Sequence, residues 1–187
     1  MSGHNNSQPG LNSIASHNVA MARIEGGPLA PRLMGSICFV AVPGGTEVFV
    51  EVRGLPTYQP AQNGRPPIGP HGFHIHERGN CQVGDNQRPF LGAGEHWNPT
   101  GQLHGNHAGD FPVLFSNNGR ARMQFFTNEF KPEDVIGKSV IIHQYPDDYR
   151  SQPVGNSGPR LACGVIRASS PQECCNLIMR FKPPIEC

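Results

Sequence analysis

The strongest constraint this chain places on its own fold is the shortness and period of its apolar runs. In "TEVFVEVR", Val48, Val50 and Val52 fall on one face, with Glu47, Glu51 and Arg53 on the other beside Phe49. In "GRARMQFF", Ala121, Met123 and Phe125 oppose Arg120, Arg122 and Gln124. Residues two apart on an extended chain share a side, so this alternation marks half-buried strands. "NVAMARIE", "LMGSICFVAV", "HGFHIHE", "PVLFS", "KSVIIH" and "ACGVIR" complete a set of about eight. Nothing in this core region carries helical periodicity over three turns.

The 187 residues suffice for one well-buried core and are short for two. With 23 Gly and 19 Pro, the composition suits a loop-rich all-β domain with tight turns. The formal net charge is +1 and the Lys and Arg residues are scattered, which argues against nucleic acid or an anionic membrane surface as the main partner. No run approaches the roughly 18 apolar residues of a membrane span.

The opening "MSGHNNSQPGLNSIASHNVA" has no basic segment followed by an apolar one, so residues 1–18 read as a flexible polar arm. On that reading a cytoplasmic location is favoured, with export the alternative if a leader was removed. The β-domain is expected over residues 19–167, and residues 168–187 read as a cysteine-containing tail. The six cysteines fit no CxxC zinc pattern and do not settle the compartment.

Three long connections, at residues 57–70, 78–111 and 144–159, interrupt the strands. Loops of that length in a compact domain are usually functional or disordered. In "GFHIHE", His74 and His76 project to one side of a strand, roughly 6.5–7 Å apart at the backbone, and can reach one metal ion. Alone, an HxH is equally at home as polar residues on a strand. The loop that follows, "GEHWNPTGQLHGNHAGD", adds His96, His104, His107 and Asp110, a donor set suited to zinc, or else a histidine-rich polar loop. "SVIIHQYPDDY" ends an apolar strand on His143, where a buried imidazole needs a partner of some kind. "GPRLACGVI" sets an arginine and a cysteine beside another buried strand.

Taken in order, "GFHIHE", "GEHWNP", "HAGD", "VIIH" followed four residues on by Asp147, and "RLACGVI" resemble the copper/zinc superoxide dismutase family. The resemblance covers roughly residues 19–167. It implies an eight-stranded antiparallel Greek-key barrel or sandwich, immunoglobulin-like in kind, with the active site outside the barrel between two long loops. It also implies copper ligands His74, His76 and His143, with His96 bridging copper and zinc, and zinc ligands His104, His107 and Asp110. Cys81 and Cys163 match the family disulfide, Asp147 the carboxylate that joins one histidine of each metal site, and Arg160 the arginine at the mouth of the copper site. His71 matches a structural histidine, not a ligand.

The implied activity converts superoxide, a small anionic substrate, to dioxygen and hydrogen peroxide. Copper alternates between Cu(II) and Cu(I), while His96 exchanges its metal bond for a proton. A non-catalytic zinc- or copper-binding module of the same fold is the alternative, and a copper-delivery partner with such a domain a third. Homodimers are common in the family, though no residue pattern here identifies a dimer surface.

Two departures from the family pattern carry expectations. His104 and His107 are only three apart, so the zinc loop must close through a tight turn at Gly105-Asn106. The Lys-Thr pair usual in the third loop is here Pro153-Val154, so electrostatic guidance of the substrate should be weaker. Cys38 is expected to be a small core residue. For Cys174, Cys175 and Cys187 a disulfide, a metal-binding tail and unreactive thiols are all open.

Overall fold

The alternating runs become strands of one antiparallel sheet in a computed structural model that describes residues 18–181. They are β1 (Val19–Gly26), β2 (Met34–Val42), β3 (Gly45–Arg53), β4 (Phe73–His76), β5 (Arg120–Thr127), β6 (Ser139–His143) and β7 (Arg160–Ala168). Their order across the sheet is β4-β6-β7-β1-β2-β3-β5. Laid flat, a sheet that wide would separate its edges by roughly 28 Å. Yet Phe73 and Ile75 of the β4 edge and Ala121 of the β5 edge share one buried cluster with Ile24, Ile37, Phe39, Val50, Val140 and Ile166. The sheet is therefore curled into a half-barrel around a single core.

Among the described residues seven strands form where eight were expected. The missing one is "PVLFS", residues 112–116. Only Leu114 pairs, trading two 2.9 Å backbone bonds with His71. Pro112 has no N–H to donate, and the Val113 N–H goes to the Tyr149 hydroxyl at 2.9 Å. Phe111 and Leu114 still seal the open side of the core.

Between Ile142 and His143 the register against β7 slips: Ile142 faces Ala162, while His143 faces Arg160. Leu161 is the extra residue of this bulge. Its effect is to set Arg160 directly across from His143.

The odd-numbered side chains of β1 and the even-numbered ones of β2 point away from the core. There Val19 and Cys38, with Phe49 of β3, make an apolar strip, which helix α2 (Pro171–Ile178) covers with Cys174 and Leu177. The helix starts at Ser170, whose hydroxyl accepts from Glu173 N, with Pro171 at its first turn. Cys38 is not a free core residue: it is disulfide-bonded to Cys174, with Cα atoms 5.8 Å apart. Its strand parity sends it outward, where only the helix can cover it. Cys175 is a free, half-buried thiol. Residues 1–17, which hold nearly all of the expected polar arm, and Cys187 lie outside the described residues. Among the described residues no helix is long and apolar enough to cross a membrane.

Candidate metal centre

The site begins at the β4 edge of the sheet. Phe73 and Ile75 point into the core, so His74 and His76 point outward by strand alternation. β6 lies alongside, and the His143 N–H bonds Gly72 O at 2.8 Å, which brings its ring to the same outer face. The loop after β4 then returns along that strand's free edge. Glu77 N bonds Glu95 O at 3.0 Å, Trp97 N bonds Ile75 O at 2.8 Å, and Ile75 N bonds Gly109 O at 2.9 Å. These contacts set His96 opposite His76 and Asp110 opposite His74.

Tautomers follow from the partners of each ring. His76 Nδ1 donates to Gly94 O at 2.9 Å, and His143 Nδ1 donates to Gly158 O at 3.1 Å. Both Nε2 atoms therefore carry bare lone pairs, and they face each other at 3.3 Å. His74 Nε2 donates to Asp147 Oδ2 at 2.5 Å, which leaves its buried Nδ1 without a partner. His96 Nε2 is buried and equally unpartnered. The ligand nitrogens of His74, His76, His96 and His143 all lie within 4.8 Å of one another. Four converging lone pairs, shut away from water, repel unless a cation sits among them. Imidazoles tolerate both copper oxidation states, so this quartet fits copper.

The other nitrogen of His96 opens a second group. It lies with His104, His107 and Asp110, again with ligand atoms within 4.8 Å of one another. Asp110 Oδ1 is 3.0 Å from His96 Nδ1, and Oδ2 is 3.1 Å from His104 Nδ1 and 3.4 Å from His107 Nδ1. The Nδ1 atoms of His104 and His107 are buried and make no hydrogen bond. Three nitrogens and a carboxylate suit tetrahedral zinc. The short His104–His107 spacing closes as expected, through a turn in which Asn106 N bonds Leu103 O at 3.1 Å and Gly105 takes φ of 91°. Gly105 N and His107 N both donate to Asp110 Oδ2, at 2.9 and 3.2 Å.

Asp147 joins the two groups. Its Oδ1 accepts from His104 Nε2 at 2.8 Å while its Oδ2 serves His74. Gly155 lets this happen: a Cβ there would sit 1.9 Å from Asp147 Oδ1 and 2.4 Å from His104 Nε2.

Burial, more than any charge, governs the protons. It holds the His143 imidazole down at about 3, with His96 adding to the effect. It pushes His74 and His76 well below the ordinary histidine range, helped by neighbouring imidazoles. Burial alone would raise the Asp110 carboxyl, but the bonds from His96 and Gly105 hold it below the usual value. The His74, His76 and His143 rings are thus held toward the neutral form, with lone pairs free for metal.

Arg160 donates to Phe90 O and Gly94 O, both at 2.7 Å. Gly94 O thereby serves His76 and Arg160 together. The disulfide Cys81–Cys163, Cα atoms 5.5 Å apart, belongs to a small cluster with Phe90, Ala93 and Ile141, and it pins this loop to β6 and β7. His71 donates from Nδ1 to His143 O at 2.9 Å and belongs to neither ligand group. Every ligand expected from the sequence is thus brought into one of the two groups. Arg78 was not anticipated. A Cβ on Gly94 would come 2.9 Å from its Nε and 2.8 Å from Glu77 Oε2, so a second guanidinium packs beside Gly94 together with the Glu77 carboxylate. Burial lowers the Arg160 pKa, Glu95 opposes the shift and Arg78 adds to it.

A family model described as copper/zinc superoxide dismutase matches residues 34–166. A Cu-Zn superoxide dismutase of Deinococcus radiodurans is 37% identical over 155 residues, which cover 73% of this chain and 79% of the relative. A second, from Aquifex aeolicus, is 40% identical over 119 residues, covering 56% of this chain and 67% of the relative. The solved Cu/Zn superoxide dismutase from Brucella abortus superposes with a TM-score of 0.63 at 28% identity, over 79% of this chain and 98% of that one.

Proposed function

Because the chain belongs to the copper/zinc superoxide dismutase family, we propose the following roles for its residues in the dismutation of superoxide. His74, His76, His96 and His143 would hold copper, which would supply a one-electron sink and source for turning two superoxide ions and two protons into dioxygen and hydrogen peroxide. The observation that carries this reading is the pair of lone-pair nitrogens of His76 and His143 facing each other at 3.3 Å, with His96 shared by both ligand groups.

His96 is the proton carrier. Its Nδ1 is committed to the zinc side, while its Nε2 lies buried with no protein partner. A proton held at Nε2 is placed for delivery to the departing peroxide. His96, His104, His107 and Asp110 would hold zinc, whose charge would make the His96 ring a weaker base. Asp147 fixes the tautomers of His74 and His104 and so aims both Nδ1 atoms at their metals.

Arg160 docks the substrate. Two of its N–H groups are used on Phe90 O and Gly94 O, which leaves a rigid, half-buried cation with donors to spare. Its carbonyl partners belong to the loop held by Cys81–Cys163, so the disulfide acts on docking through the backbone.

The deciding experiment is dismutation by the purified protein after copper and zinc loading, with both metals counted and His143→Ala run alongside. Fast turnover with equal copper and zinc per chain, lost in the variant, supports the assignment. Full zinc with no copper-dependent turnover overturns it and leaves a metal-binding module. Arg160→Ala should lower the second-order rate with superoxide while copper content stays unchanged; an unaltered rate removes Arg160 from docking.

A further inference from the structure

The loop over residues 144–159 supplies Asp147, but its grip on the zinc side goes further. The Gln152 carboxamide reads the backbone of His104 from both directions. Its Oε1 accepts from His104 N at 2.9 Å, and its Nε2 donates to His104 O at 3.2 Å and to Arg150 O at 3.3 Å. Among the described residues, neither His104 backbone group has a main-chain partner. His104 is 4% exposed, and Gln152 satisfies both of its backbone groups.

Tyr149 holds the other end of the same segment. Its hydroxyl donates to Phe111 O at 3.0 Å and accepts from Val113 N at 2.9 Å. Its backbone N donates to Asp147 Oδ1 at 2.7 Å. Gly105 packs against it so closely that a Cβ would meet Tyr149 O at 2.4 Å.

His104 is therefore fixed at its ring by Asp147 and at its main chain by Gln152, all from one loop. With His107 only three residues on, His104 has little slack with which to find the ion on its own. We propose that Gln152 is a positioning residue for the zinc site, holding His104 Nδ1 toward His96 and Asp110 and so setting zinc affinity separately from copper affinity. The inference rests on the assignment of zinc to His96, His104, His107 and Asp110.

The test uses the full chain and two variants, Gln152→Leu and Gln152→Glu. Zinc affinity is read by competition with a chromophoric chelator, copper affinity in the same way on the same protein, and site geometry from the visible spectrum of cobalt(II) placed in the zinc site. Gln152→Leu should weaken zinc about 10- to 100-fold, the range for lost partners of a metal ligand, and change the cobalt spectrum, while copper affinity read on the zinc-free protein holds. Gln152→Glu keeps an acceptor for His104 N but no donor for His104 O, so its loss should fall between. Unchanged zinc affinity with an unchanged cobalt spectrum overturns the proposal. Equal weakening of both metals also overturns it, since that would mean general loosening. If the unaltered protein takes neither zinc nor cobalt, the site assignment itself falls, and the clamp with it.

Discussion

Replacing Cys38 and Cys174 together by alanine removes the bond that ties α2 to the sheet. Considered alone, a cross-link across 136 residues would restrict the denatured chain by about 5 kcal/mol. That figure is too large here, because the second disulfide spans 82 residues inside the same loop. With that shortcut closed, the 136-residue separation less 82 leaves a path of about 54 residues, and the same relation gives about 4 kcal/mol. The native state should change little. Leu177 stays in contact with the strip, and Arg180 still reaches Glu51 at 2.8 Å. Urea unfolding of the oxidised protein at matched metal content measures the loss, after alkylation without reduction has shown Cys38 and Cys174 to be unreactive in the parent. Dismutation should be unaffected, since no metal ligand belongs to the cluster under α2. A loss below about 1 kcal/mol would refute the reasoning, as it would leave the denatured chain unrestricted by the bond.

Three further outcomes are expected. Asp147→Asn retains an acceptor for only one of two imidazole N–H groups and points an amide N–H at the other, so zinc affinity should fall about 10- to 100-fold; chelator competition reads it. Gly155→Ala drives a methyl between Asp147 and His104 at a residue with φ of 63°, and should lose zinc at least as severely, as metal analysis after dialysis will show. The chelator-stripped protein should lose stability on acidification. His143 binds its proton near 6.5 when unfolded and at about 3 when folded, so the unfolded chain takes up protons first as pH falls below 6.5. Stability is full above that value and declines as pH falls toward 3. His74 and His76 act in the same direction. Urea midpoints at pH 8 and pH 5 that coincide would contradict this.

The residues that carry metal were legible because their pattern is local. His74 and His76 share a face by strand alternation alone, and the ligands of the following loop fall within fifteen residues of sequence, from His96 to Asp110. The strands were legible for the same reason, apart from "PVLFS", where an apolar run met a proline and a tyrosine hydroxyl distant in sequence took its N–H. What escaped was set by contacts between segments far apart. Nothing local to Cys38 says that a helix 136 residues later will cover its face. The reading of residues 168–187 as a cysteine-containing tail passed over the helix start at Ser170-Pro171-Gln172-Glu173. Gln152 and Gly155 act on backbone atoms or through the space they leave, and such roles have no signature in residue type.

His96 and Asp147 join the same two ligand groups, one through an imidazole ring and the other through a carboxylate. In thermodynamic terms the two metals are then heterotropic ligands of one another. Whatever factor zinc contributes to the binding of copper, copper must return to zinc, since the coupling free energy is a single quantity. The two sites share one coupling free energy, so a substitution that changes it alters the effect of zinc on copper and of copper on zinc by the same factor.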